Sequence, residues 1–147
     1  MEENLEAISK KIKETINEYE RLLEIIGNEP GTICRMPKTE ISRLYGKSYT
    51  GTLKKLGFLE RYGLTEKTTG GYVRTEKKFM RDTPFALIPR IVLLLSEHTE
   101  LFNGYKQQAE VLSVSLSDIQ TAWGFLSYFF GSVNSFAGET KETELRG

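Results

Sequence analysis

KTEISRLYGKSYTGTLKKLGFLERYGLTEKTTGGYVRT, residues 38–75, decides how this chain is read. Three punctuation marks divide it. Pro37 precedes and Gly46 follows a short helical pattern, Thr39 to Tyr45, with Ile41 and Leu44 on its apolar side. Ser48 has the chemistry of an N-cap, because its hydroxyl can accept a bond from one of the open N–H groups of a first turn. A second helix is expected over 49–62, with Thr52, Leu56 and Leu59 facing inward and Leu53 beside them. Gly51 and Gly57 weaken it by up to about 1 kcal/mol each relative to Ala. An alternative boundary ends it at Gly57 and makes Phe58 to Arg61 a strand. After Gly63, Leu64-Thr65 and Tyr72 to Thr75 read as two strands around the turn Thr68-Thr69-Gly70-Gly71.

Charge is concentrated in the same region. The chain has 147 residues, with 20 basic and 20 acidic side chains, and is formally neutral. Between Arg35 and Arg81, however, twelve Lys/Arg stand against four acids, a net charge of +8. The flanks therefore carry −8. A basic middle between acidic ends suits a segment that meets a polyanion, held by arms that do not.

Outward from this core, residues 3–27 form an amphipathic helical pattern with Leu5, Ile8, Ile12, Tyr19, Leu22 and Ile26 near heptad spacing. The pattern fits equally a helix packed on its own domain and one paired with a second copy. Gly27-Asn28 and Pro30-Gly31 stop it. Phe85 to Leu95 is almost wholly apolar, which predicts burial, and a long helix is expected from Pro89 to about Ser113. A last helix, capped by Ser115 or Ser117, is expected to end near Ser135. The domain organisation expected is an N-terminal helix (1–27), a central domain (28–81), a helical dimerisation region (82–136) and a flexible tail (137–147).

The segment 119–136 is uncharged and rich in aromatics, but its polar residues and glycines argue against a membrane span, which needs about 20 mainly apolar residues. Leu5, Ile8, Ile12, Tyr19, Trp123, Phe129 and Phe130 are instead the candidate contacts of a homodimer. The N-terminus lacks the apolar run of a secretory signal, which gives the expectation of a cytoplasmic protein. Cys34 and His98 are single and lie in unrelated segments, so no zinc spacing and no nucleophile–base–acid set is legible. Gly70-Gly71 lacks the frame of a phosphate-binding loop before a helix. The expectation is a non-enzymatic protein with no cofactor and no metal.

Residues 22–78 resemble the winged helix-turn-helix family of DNA-binding transcription regulators. LLEII (22–26) corresponds to a first helix, KTEISRLYG (38–46) to a second, SYTGTLKKLGFLERYGL (48–64) to a third, and TEKTTGGYVRT (65–75) to the wing. In that family a Gly closes the second helix, and a Ser/Thr-led third helix ends in a Leu-x-x-Leu-Glu-x-x-Gly-Leu pattern. Leu56, Leu59, Glu60, Gly63 and Leu64 fill those places; Gly51 and Gly57 depart from a regular third helix. The resemblance covers 57 of the 147 residues. It implies a mainly α fold with a small β-hairpin, a winged helix-turn-helix core flanked by N- and C-terminal dimerisation helices.

A major groove about 12 Å wide admits one helix, whose N-terminal residues lie nearest the base edges. Ser48, Tyr49 and Thr50, with Lys54 one turn on, are the candidate base contacts. Lys38, Arg43, Lys47, Lys54 and Lys55 are candidates for phosphate. The resemblance implies that the wing, with Lys67, Thr68, Thr69 and Arg74, follows the backbone or the adjacent minor groove. The resulting expectation is a homodimeric repressor bound to double-stranded DNA. The competing readings are a winged-helix protein-interaction module and a DNA-binding protein of plasmid or viral replication or maintenance.

Overall fold

The computed structural model describes residues 2–146, and side chains from Leu5 to Gly131. The chain is mainly helical with one small antiparallel sheet. In order it forms α1 (Glu2–Ile26), β1 (Ile33–Cys34), α2 (Lys38–Tyr45), α3 (Tyr49–Arg61), β2 (Thr65–Thr68), β3 (Gly71–Arg74) and α4 (Phe79–Asp82). A 3-10 turn at Pro84–Leu87 leads to α5 (Ile88–Glu97), a second at Thr99–Leu101 to α6 (Tyr105–Leu112), and α7 (Leu116–Arg146) ends the chain. Two compact units result. One is Thr15–Ala86; the other joins the first half of α1 to everything from Leu87 onward.

Local chemistry sets the elements of the first unit. α1 buries Leu22, Leu23 and Ile26, one stripe of its second half. α2 ends at Gly46, whose φ of 77° lets its N–H reach the Ser42 carbonyl at 2.9 Å. It buries Ile41 and Tyr45 completely, whereas Leu44, expected on the apolar side, is 42% exposed. Two residues after Gly46, Ser48 Oγ accepts from Gly51 N–H at 3.0 Å and starts α3. Thr52, Leu56 and Leu59, spaced four and three apart, form its buried stripe. The helix runs through Gly57 to Arg61, so Phe58–Arg61 is not a strand.

Gly63, at φ 77°, then turns the chain so that Leu64 N–H bonds the Leu59 carbonyl at 2.8 Å. The hairpin pairs Thr65 with Arg74 and Thr68 with Gly71, and β1 adds a third strand against β3, giving the order β1-β3-β2. Two residues carry no period, so β1 has no sequence signature. Behind the sheet and helices, Tyr19 stacks on Phe79 with centroids 4.4 Å apart, and Phe58 and Phe85 lean on the same cluster.

The second unit corrects the expected helix from Pro89 to Ser113. The chain leaves the helix at His98 (φ −136°, ψ 70°) and starts α6 only after Gly104. Such a break exposes carbonyls that need partners. Gln108, fully buried, supplies them: its Nε2 donates to the Leu101 carbonyl at 2.6 Å and the Phe102 carbonyl at 3.2 Å. Its Oε1 accepts from Trp123 Nε1 at 2.8 Å. Trp123 in turn stacks on Tyr105 and meets Phe102 edge-on. α5 is amphipathic rather than wholly buried, since Val92 and Leu93 face outward. Ser115 caps α7 through Asp118 N–H at 3.1 Å. That helix runs past Ser135 to Arg146; side chains of the tail 137–147, and of Phe136, lie outside the described residues.

Candidate nucleic-acid interface

The basic region divides by where its charges point. Burial of Thr52, Leu56 and Leu59 turns the opposite side of α3 outward. At its start Ser48, Tyr49 and Thr50 are exposed, Tyr49 by 46%. Lys54 is exposed one turn later, and among the described residues no carboxylate pairs with it. Ser48 Oγ is already occupied as a cap acceptor, yet its hydroxyl hydrogen remains able to donate. On the hairpin, Lys67, Thr68 and Thr69 are exposed at the tip, where Gly70 takes φ 87°.

Other candidates already have partners within the protein. Lys55 Nζ lies 3.5 Å from Glu18 Oε1, with only 23% of its side chain exposed, between the rings of Tyr19 and Tyr45. It takes part in the packing of α3 on α1. The period explains this: Lys55 precedes Leu56 and shares the helix side of Thr52 and Leu59, at i+3 and i−4. Arg74 is likewise turned in. Its Nη1 donates to the Gly27 carbonyl at 2.6 Å, satisfying an open carbonyl at the end of α1. Arg43 forms a two-pronged bond to Glu40, with Nη2–Oε2 at 2.8 Å. That bond holds the Glu40 carboxyl below its usual range. Lys47 is half exposed and pairs with Glu18 Oε2 at 3.7 Å.

Glu18 therefore bridges the two lysines flanking the start and middle of α3. Sequence reading gave it no role, because Glu18 lies 29 residues before Lys47 on a helix whose face was ambiguous. Its charge, together with burial, also shapes the tyrosines. Burial, and then Glu18, push the Tyr19 hydroxyl up to about 12, and the same causes raise Tyr45. The Tyr45 hydroxyl is buried without a hydrogen-bond partner.

Lys38 is half-buried at the start of α2, where it lines a groove with Arg35 and the hairpin residues Lys67 and Thr68. Arg35 stands at the start of the basic run, and no local pattern in the sequence marks it as a site. The dimer candidates differ in exposure. Ile8, Tyr19 and Phe129 are buried within the chain and Trp123 is held by Gln108, whereas Leu5 is 58% exposed and Ile12 and Phe130 are half-buried.

His98 is exposed and paired with Glu100 at 3.3 Å. Among the described residues no group of His, Cys, Asp and Glu has the arrangement to hold a metal ion. Nor is any helix among them long and apolar enough to cross a membrane. No protein-family model matches this chain, and neither a curated protein nor a solved structure does.

Proposed function

We propose that residues 15–86 act as a winged helix-turn-helix that binds double-stranded DNA, in a homodimeric transcription regulator that represses by occluding its site. One observation carries this reading. α3 is anchored by its buried stripe and presents Tyr49, Thr50 and Lys54 to solvent, followed in the chain by a hairpin that exposes Lys67, Thr68 and Thr69. Hydrogen-bonding groups at the start of a helix, with a lysine one turn on, suit base edges and a phosphate respectively. The working set is Ser48, Tyr49, Thr50 and Lys54 with Lys38, Lys67, Thr68 and Thr69. Lys55 and Arg74 support the fold.

The second copy would meet the exposed apolar side chains of the other unit, Leu5, Leu93 and Val111 foremost. A two-fold pair sets its reading helices about 34 Å apart, one turn of DNA.

Gel shifts on a random-sequence duplex at two salt concentrations test the reading. Lys54→Ala should weaken binding to every sequence and flatten the salt dependence by about 0.9 in slope. Tyr49→Ala and Thr50→Ala should change sequence preference more than bulk affinity. Equal losses on all sequences for both sets would contradict this division. A protein-interaction role is favoured by one observation, the internal neutralisation of Arg43 and Lys47 by Glu40 and Glu18. Absence of duplex binding at low salt would decide for it.

A further inference from the structure

Two clefts flank the hairpin, and their linings differ in charge. The larger, about 580 Å³, sets Glu60, Glu66 and Asp82 among Arg61, Lys67 and Lys77, so its charges answer one another. The smaller, about 420 Å³, lies between the β1–α2 link and the hairpin. Its lining includes Arg35, Lys38, Lys67, Thr68 and Tyr72 and no acid, Lys67 also lining the larger cleft. Among the described residues none of the three cations is in an ion pair. Met36 and Pro37 give it an apolar wall. Its volume is in the range of small-ligand clefts, about 300–1,000 Å³.

Backbone geometry builds this groove. A Cβ on Gly71 would stand 1.9 Å from the Cys34 carbonyl oxygen, so only glycine allows β1 to lie this close to the hairpin. A Cβ on Gly70 would stand 3.4 Å from Arg35 Nη1, which puts the guanidinium over the turn. The link residue Arg35 and the hairpin residue Lys67 are thus brought to one cleft from opposite sides. Like charges gathered without a counter-charge repel and are relieved by an anion. A guanidinium offers a planar fork and two ammoniums act as point charges, the donor set that suits phosphate oxygens.

We propose that this groove is a phosphate site, with Arg35, Lys38 and Lys67 on the oxygens, Thr68 as a further donor, and Met36 and Pro37 against the attached sugar. The assignment rests on the DNA reading for the source of the phosphate, a backbone phosphodiester; a free phosphate compound carries the same chemistry. On DNA it makes the root of the hairpin and the start of α2 one clamp, fixing register without reading sequence.

The test uses the full chain and Arg35→Ala/Lys67→Ala. Duplex affinity is measured from 50 to 200 mM salt, and backbone amide shifts are followed during titration with pyrophosphate. Loss of one phosphate contact should lower the salt slope by about 0.9, so the wild type should lose about 3.5-fold more affinity across that range than the variant. The loss should be equal on all sequences. A variant with the wild-type slope overturns the groove while leaving the DNA reading intact. If the wild type binds no duplex at 50 mM salt, the DNA reading fails and pyrophosphate decides the groove. Shifts at Lys38, Thr68 and Gly70 that vanish in the variant sustain it with a free phosphate ligand. Their absence in the wild type overturns it.

Discussion

Glu18→Gln should make the protein less stable and a better DNA binder. Two distances set the expectation. Glu18 is 3.5 Å from Lys55 and 3.7 Å from Lys47. At 3.5 Å and an effective dielectric constant near 20, the gross attraction is about 5 kcal/mol. Desolvation and the ordering of two flexible side chains cancel most of it. The Lys55 side chain is only 23% exposed, so its pair keeps a net worth of about 1–2 kcal/mol; the pair to half-exposed Lys47 adds no more than about 0.5 kcal/mol. The glutamine variant should therefore melt about 4–16 °C lower, at about 4–8 °C per kcal/mol for a unit of this size. Binding should move the other way. Lys47, released beside the cap of α3, becomes available to phosphate, and one added contact steepens the salt slope by about 0.9. Thermal unfolding by circular dichroism and duplex titration over a salt series read the two effects separately. Glu18→Gln/Lys47→Ala should keep the loss in stability and lose the gain in slope. An unchanged melting temperature would refute the placement of Glu18 against Lys55. A lowered melting temperature with an unchanged slope would refute the competition between Glu18 and phosphate for Lys47.

Tyr45→Phe should hold stability or raise it by about 1 kcal/mol in a denaturant titration, because the hydroxyl it removes is buried without a partner. Both phenol and phenyl rings keep the face presented to Arg21 and Lys55, and a loss above 1 kcal/mol would mean that the hydroxyl is bonded. Gly71→Ala should cost about 2–4 kcal/mol and detach β1, seen as lost amide protection at Cys34 and Tyr72; a variant with wild-type stability would contradict the close approach of the Cys34 carbonyl. The alkaline limb of stability follows the raised tyrosines. With Tyr19 pushed up to about 12 in the folded protein against 10 when unfolded, its stabilisation is complete below pH 10 and disappears as pH rises toward 12. Tyr45 acts in the same direction. Urea midpoints measured between pH 8 and 12 should fall in this window, and Tyr19→Phe should shallow the fall; identical slopes for the two proteins would refute the assignment.

What the sequence exposed was periodicity and punctuation. α2, α3 and the hairpin were legible because Pro37, Gly46, Ser48, Gly63 and Gly70 each act over three or four residues, within reach of a local pattern. The missed features depend on distant partners. β1 exists because β3 offers a ladder to Ile33 and Cys34, and the break at His98 survives because Gln108 returns to close it. Phe85 to Leu95 contains enough apolar residues for full burial, yet α5 buries only Ile88, Ile91 and Leu94. Apolar composition marks a helix for packing; the number of neighbours decides how much of it is covered.

Charge poses the same problem at the candidate site, with a different answer for each residue. A net charge of +8 over residues 35–81 is a sum over the chain, whereas a polyanion meets only the cations left uncommitted on the surface. Lys55 and Arg74 are used in folding, and Arg43 and Lys47 are held by carboxylates at the surface. Those two classes respond differently to DNA. Removing a partly buried cation leaves the Glu18 carboxylate or the Gly27 carbonyl without that partner, so its loss lowers affinity through stability. A surface pair must first give up its carboxylate, at about 0–1 kcal/mol, so its cation contributes weakly until that carboxylate is removed. Lys54, Arg35, Lys38 and Lys67 need no exchange at all. A charge scan of this region should therefore sort into three groups when affinity is set against melting temperature. Lys55→Ala and Arg74→Ala should lower both. Lys54→Ala and Lys67→Ala should lower affinity alone, and Lys47→Ala should do so weakly unless Glu18 is neutralised first. A scan in which all these variants fell on one line would mean that the geometry of partners around each cation has no bearing on what the basic segment binds.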